Sequence, residues 1–336
     1  EKTRMQYWTS RQDVTGLVVN SKVNIRSEYR RTVRAMAQNV FMTGKFDFVQ
    51  TALDANGVKI QVKKEGTIAQ LHGMLGHIDR VDRYNVKLRE TEPQQNPQKE
   101  LSSKESLYRR FLIFKEFYAN PVPMIVCEGK TDTVYLTHAI RSMAALYPVL
   151  ASISPNSKAA LKIRMFKYPE SSTTEILRLT GGAAVLNVFL WDYLKEIKRF
   201  KALGKQQPVI FVVDNDSGAK GICSSAKTLT KKDAHLEPFV HLSENLYLIV
   251  LPLPPGKKES EIEDFMGNQI KGIKLGGKTY SRDGDSDTHF SKHILSQHID
   301  KNAQRFDFTG LTPILERISA AIDAHHAKTA ASAVAA

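Results

Sequence analysis

Pro123-Met-Ile-Val-Cys-Glu128-Gly-Lys-Thr-Asp132 and Pro208-Val-Ile-Phe-Val-Val-Asp214-Asn-Asp216-Ser-Gly218 share one pattern, an apolar run closed by acid. Neither run alternates polar with apolar residues. Such runs, set among helical patterns, predict parallel strands covered on both faces. In an open α/β sheet, ligand-binding groups collect at the carboxyl ends of the strands. Glu128, Asp214 and Asp216 would therefore share one crevice. Crowded carboxylates are costly unless divalent cations neutralise them. Hard cations on a basic protein point to phosphodiester chemistry. Taken alone, Asp214-Asn-Asp-Ser-Gly218 also satisfies an ordinary turn.

Working outward, a third apolar run, Leu246–Leu251, ends at Pro252, and a fourth strand is predicted near Arg164–Tyr168. Helices are predicted over 133–147 and 183–200, which completes an alternation of βα units. Thr180-Gly-Gly182 is a turn that could also expose amides to phosphate. In the front third, Ser27 is the expected N-cap of a helix whose apolar stripe is Tyr29, Val33, Met36, Ala37, Val40 and Phe41, ended by Gly44. A second helix is expected from Thr67 to Tyr84, with Ile68, Leu71, Leu75 and Ile78 on one side. Gly73 and Gly76 in it suit close approach of a helix or of a nucleic-acid backbone. Residues 90–104 are polar, contain two prolines and predict a linker. An aromatic-rich helix then runs over 106–118, with Leu107, Phe111, Phe114 and Tyr118 on its apolar face. The tail 327–336 is expected to fray.

The chain has 336 residues, enough for two domains. With 42% hydrophobic and 25% charged residues it is a globular composition, but 48 Lys+Arg against 35 Asp+Glu give a net charge of +13. That balance favours polyanionic partners, and the basic excess is denser in residues 1–120. Two cysteines, Cys127 and Cys223, make a disulfide framework an unsuitable reading and fit a reducing cytoplasm. No apolar stretch approaches the roughly 18–20 residues of a membrane span.

The acidic elements resemble the Toprim signature of topoisomerases, bacterial primases and OLD-type nucleases. Glu128-Gly-Lys-Thr-Asp132, with Glu261-Ile-Glu263-Asp-Phe265 later, is most similar to the OLD-like nuclease branch. Thr3-Arg-Met-Gln, Gln12-Asp-Val-Thr-Gly-Leu-Val-Val-Asn20 and Tyr29-Arg-Arg-Thr-Val-Arg-Ala35 resemble the palm end and thumb of a bacterial retron-type reverse transcriptase. Together they imply an α/β chain: a mostly helical thumb region over 1–89, the linker 90–104, and a Rossmann-like, parallel-sheet Toprim domain with flanking helices over 105–326. The Tyr-x-Asp-Asp element that such polymerases need is missing, and residue 1 is Glu. The chain is therefore read as the C-terminal part of a longer polypeptide, without polymerase activity of its own.

The resemblance implies a Mg²⁺-dependent nuclease, with Mn²⁺ as the other cation, acting on RNA or DNA. It also implies binding of the retron non-coding RNA and its RNA–DNA product (msDNA), in antiphage defence in the bacterial cytoplasm. A homo-oligomer is compatible with it. Implied metal ligands are Glu128, Asp214, Asp216, Glu263 and, behind it, Glu261. Asp132, in the first turn of the next helix, takes a metal- or water-orienting role by the same resemblance. Two carboxylates at Glu261 and Glu263 face one side on a strand or loop end but not on a helix. Positive charge for a developing oxyanion is expected from Lys130, then Lys220, then Lys292. The nucleophile is most simply a metal-bound water, since nothing singles out Tyr135, Tyr168 or Tyr193. His289 and His293, at helical spacing, lack the further ligands of a zinc site. Lys22, Arg26, Arg30, Arg31 and Arg34 are the candidate phosphate contacts, and Tyr7, Trp8 and Tyr29 the candidate stacking groups. The alternatives are a non-catalytic nucleic-acid module and a primase- or topoisomerase-like enzyme.

Overall fold

A computed structural model describes residues 7, 9–88, 101–154, 157–168, 172–281 and 284–334. The chain divides into two compact units, one of residues 1–115 with 196–203, the other of 116–195 with 204–336. The expected linker over 90–104 falls mostly outside the described residues. The aromatic-rich helix expected over 106–118 is an α-helix over Ser103–Ile113 in the first unit, continued by a π-helical turn, Phe114–Tyr118, whose residues from Glu116 on belong to the second. Among the described residues no helix is long and apolar enough to cross a membrane.

The first unit opens with a small antiparallel sheet of Asp13–Val14, Leu17–Val18 and Asn24–Ile25. Helix α1 follows over Ser27–Thr43 and buries Val33, Met36, Ala37, Val40 and Phe41, the predicted stripe. Its N-cap is Arg26, with no side-chain bond, so Ser27 is the first helical residue rather than the cap. Gly44, at φ 81°, closes the helix through its amide to the Val40 carbonyl. Strands β1 (Asp47–Leu53) and β2 (Lys59–Glu65) form a hairpin that apolar alternation did not reveal, because nearly all of it is exposed. Helix α2 (Ile68–Lys87) begins at a Thr67–Gln70 capping box. Helix α3 (Ser103–Ile113) begins at another, Ser102–Glu105. A Cβ on Gly76 would lie 3.4 Å from the Tyr108 hydroxyl of α3, an ordinary contact distance.

The second unit is built on a five-stranded sheet. Its strands are β3 (Met124–Cys127), β4 (Arg164–Met165), β5 (Val209–Val213), β6 (Val240–Ser243) and β7 (Leu246–Val250), in the order β4-β3-β5-β7-β6. All pairings are parallel except that of the edge strand β6. Every residue of β3, β5 and β7 is buried, which is why these strands read as unbroken apolar runs. Ile125, Cys127, Ile210, Val212, Tyr247 and Ile249 face a core shared with Leu136, Ile140, Leu295, Ile299, Ile318 and Ile322. Those partners come from α4 (Asp132–Ser142), α7 (Lys292–Lys301) and α8 (Thr312–Val334). On the other face Phe211 meets Phe189 of α5 (Ala183–Glu196), which in turn packs on Phe117. Helix α6 (Lys220–Thr230) follows β5. The chain is thus mixed α/β. Helix α8 continues to Val334 through most of the tail expected to fray, because its alanines are strong helix formers.

The topology sets the position of the acids. From β3 the chain crosses to β4 on one side; from β5 it crosses to the edge strand β6 on the other and turns back to β7. The carboxyl ends of β3 and β5 therefore flank the point where strand order reverses, the usual ligand crevice of such a sheet. Val212 pairs with Cys127, so Glu128 and Asp214 emerge side by side.

Candidate functional site

Glu128 is held by two backbone amides. Its Oε1 accepts from Ala183 N at 3.0 Å, at the start of α5, and its Oε2 from Asp214 N at 3.1 Å. The Thr180-Gly-Gly182 turn serves the same residue, since Gly182 N donates to the Glu128 carbonyl at 2.9 Å. That amide is spent on the protein rather than offered to a phosphate. Burial raises the Glu128 carboxyl above its ordinary range against the pull of these amides, and the charges of Asp216 and Asp132 raise it further.

Asp132 sits in the first turn of α4, as expected, but its side chain turns back. Oδ2 accepts from Gly129 N at 2.8 Å, and a Cβ on Gly129 would come within 2.8 Å of Oδ1. That close approach explains the glycine after Glu128. Burial also raises the Asp132 carboxyl.

Asn215 splits the two aspartates by pointing the other way. Its amide and carbonyl pair with Ser260, its Nδ2 donates to the Leu251 carbonyl at 2.9 Å, and its Oδ1 lies 3.0 Å from His235 Nδ1. Asp214 and Asp216 are left on the crevice side. Burial, then the Asp132 charge, pushes the Asp214 carboxyl up to about 9, with Lys292 opposing. Asp216 Oδ1 accepts from Gly218 N at 2.8 Å and Ala219 N at 3.3 Å, capping the turn into α6.

The Asn215–Ser260 bridge also carries in the second acidic segment. Glu261 is the extended N-cap of a 3₁₀ segment, Ile262–Gln269, broken at Gly267 (φ 62°), in a reciprocal capping box with Asp264. The helix starts between the two glutamates. Both therefore reach one cation: Lys292 Nζ stands 2.6 Å from Glu261 Oε2 and 3.5 Å from Glu263 Oε2. Glu263 is buried, and by geometry neither of its oxygens completes a hydrogen bond. Burial pushes its carboxyl up to about 7. Burial works against the charge of Lys292, but Glu263, Glu261 and Asp214 outweigh it and raise the ammonium.

The fold thus brings Glu128, Asp132, Asp214 and Glu263 into one electrostatic group, with Asp216 acting on Glu128 and Glu261 on Lys292. Lys292, placed last of the three candidate lysines, is the one at the acids. Lys130 and Lys220 are exposed. Its 29-residue separation from Glu263 in sequence left no signal for this. Tyr135, Tyr168 and Tyr193 are buried, and burial drives their hydroxyls far above the ordinary tyrosine range. His289 lies on a short strand and His293 on α7, so they do not share a helix face.

No family model matches the chain, and no solved structure matches it.

Oxygen donors of this kind suit a hard divalent cation, and the buried Glu263 carboxylate, met by Lys292 at 3.5 Å, is one of them. As the side chains lie, no three Asp, Glu, His or Cys among the described residues stand close enough to hold an ion. Lys292 carries the compensating charge in this arrangement.

The basic candidates of the first unit are unequal. Arg30 pairs with Asp82 at 3.1 Å and is mostly covered, while Arg26 pairs with Asp13 at 3.3 Å. Lys22, Arg31 and Arg34 are exposed. Tyr29 packs edge-on against His77, and Tyr7 is exposed; Trp8 lies outside the described residues.

Proposed function

We propose that the second unit is a Toprim-type, divalent-cation-dependent nuclease, in a chain similar to the C-terminal part of a retron reverse transcriptase. The observation that supports it is the emergence of Glu128 and Asp214 from neighbouring parallel strands at the switch point, coupled to Asp132 and Glu263. Glu128, Asp214, Asp216, Glu263 and Glu261 would hold Mg²⁺, or Mn²⁺ in its place. When bound, the cation activates water and neutralises the phosphate being attacked. The protein's own part is positional. Two amides fix the Glu128 carboxylate, the Gly129 amide fixes Asp132, and Asn215 anchors the loop so that both flanking aspartates face the crevice. Lys292 holds positive charge through which the chain can meet a phosphate oxygen.

In the same reading the first unit binds the retron RNA and its RNA–DNA product through Lys22, Arg31 and Arg34, and the nuclease serves antiphage defence. The test is incubation of the protein with labelled RNA and DNA panels and Mg²⁺, comparing wild type with Glu128→Ala and Asp214→Ala. Loss of cleavage in both variants is expected; cleavage unchanged in both would falsify the assignment. A second reading, a non-catalytic nucleic-acid module, draws on Lys292 already lying among the acids. It predicts binding without cleavage in either cation.

A further inference from the structure

Helices α5 and α6 begin beside the candidate site and pack against each other. The Trp191 indole Nε1 donates to Ser225 Oγ at 3.2 Å, and a Cβ on Gly221 would lie 3.5 Å from Asn187 Nδ2. Along α5, Ala184, Val188, Trp191 and Lys195 are exposed at helical spacing. Val188 is 62% and Trp191 44% exposed, unusual for such large apolar groups on a helix rooted at a polar crevice. Along α6, Lys220, Ser224 and Lys227 form a second exposed stripe, continued by Lys231 at its left-handed C-cap, and α6 contains no carboxylate. The stripe spans about 16 Å at the helical rise and starts four residues past Asp216.

We infer that this α5–α6 face is the path by which single-stranded nucleic acid reaches the acidic site, with an unpaired base stacked on Trp191 and the backbone running along Lys220, Lys227 and Lys231. The inference rests on the nuclease reading and names its substrate class. Charge decides the occupant: a lysine row without acids on its own helix suits a polyanion. The aromatic decides its form. A ring half exposed and pinned by one edge offers a stacking surface to an unpaired base, which a duplex keeps buried in its own stack. Polynucleotide binding of this kind combines a basic track with stacking aromatics.

These 336 residues hold two tryptophans, so Trp8→Phe leaves Trp191 as their sole indole reporter. Its fluorescence is titrated with twelve-residue oligo-dA, oligo-rA and a duplex of equal length, in EDTA, so that cleavage plays no part. The expected result is quenching by one or both single strands, weakened at least tenfold by Lys227→Glu with Lys231→Glu, and less quenching by the duplex. The two single-stranded arms tell DNA from RNA. Absent quenching, or affinity unchanged by the lysine reversals, or equal quenching by the duplex overturns the inference. Quenching in a protein that never cleaves removes the nuclease reading and leaves this face intact, whereas cleavage without quenching removes this face alone.

Discussion

Asp214 carries a heavy electrostatic cost, being half-buried beside Asp132, Glu128 and Glu263 with one lysine to offset them. A half-buried carboxylate pushed up to about 9 destabilises the fold at neutral pH, because unfolding releases it to ionise freely. Asp214→Asn should therefore abolish cleavage, by at least about a hundredfold on the scale of lost electrostatic stabilisation, while thermal unfolding occurs at the same temperature or a few degrees higher. Parallel cleavage and melting curves check this; a variant that melts well below wild type shows that Asp214 is structural. Lys292→Met gives the opposite pattern. It removes the cation shared by Glu261 and Glu263, leaving a buried charge, and should cost about 1–3 kcal/mol, reduced from the fully buried case because Lys292 is partly exposed. Added Mg²⁺ should restore stability to this variant more than to wild type. Urea titrations with and without the metal decide it, and an equal response in both proteins would count against a cation site at these glutamates.

The elements show which parts of this arrangement the sequence could reveal. Strands β3, β5 and β7 were legible because burial on both faces leaves an unbroken apolar run, and their acids were legible because they follow such runs directly. The short edge strand β6 and the exposed β1–β2 hairpin lack that signal. The segment after Ser260 was ambiguous for a different reason. A strand reading put Glu261 and Glu263 on one side and a helix reading separated them, yet the helix begins between them and both turn to Lys292. That segment is held from outside by Gly310. A Cβ there would fall 1.9 Å from the Phe265 carbonyl oxygen, on the backbone of the same 3₁₀ helix. Gly310→Ala must therefore displace the element that carries Glu263, although residue 310 bears no chemistry. The expected loss is about 1–3 kcal/mol of stability, as for other overpacked sites, with a further fall in cleavage at temperatures where the variant is folded. Stability and activity measured on the same preparation test it; full activity would mean that the 262–269 segment does not set the position of Glu263.

Over the whole molecule, positive charge is the property most visible from composition, yet its placement is what separates its uses: paired in Arg26 and Arg30, exposed in Lys22, Arg31 and Arg34, half-buried among acids in Lys292. Global stability has another charge-dependent contributor, far from the acids, where the last helix meets the sheet. His325 of α8 is buried, with Nε2 2.9 Å from the Lys205 carbonyl and Nδ1 3.2 Å from the Tyr247 hydroxyl. The carbonyl can only accept, so Nε2 bears the proton and Nδ1 accepts from Tyr247, which is the neutral tautomer. Burial lowers the pKa of His325 from its ordinary 6.5, and the neighbouring His326, His241 and Lys328 lower it further against the Lys205 bond. Above pH 6.5 both folded and unfolded chains hold a neutral imidazole and the full stability is present. Below it the unfolded chain takes up a proton that the folded chain refuses, so stability falls by up to about 1.4 kcal/mol per pH unit until the lower, folded pKa is reached. Asp214 and Glu263 pull the other way, since acid relieves their repulsion, so the comparison must be with a variant rather than between pH values alone. His325→Gln keeps a donor and an acceptor but cannot charge. Urea unfolding at pH 7.5, 6.0 and 5.0 should show wild type losing more stability toward acid than the variant, and superimposable pH profiles would remove His325 as the responsible group.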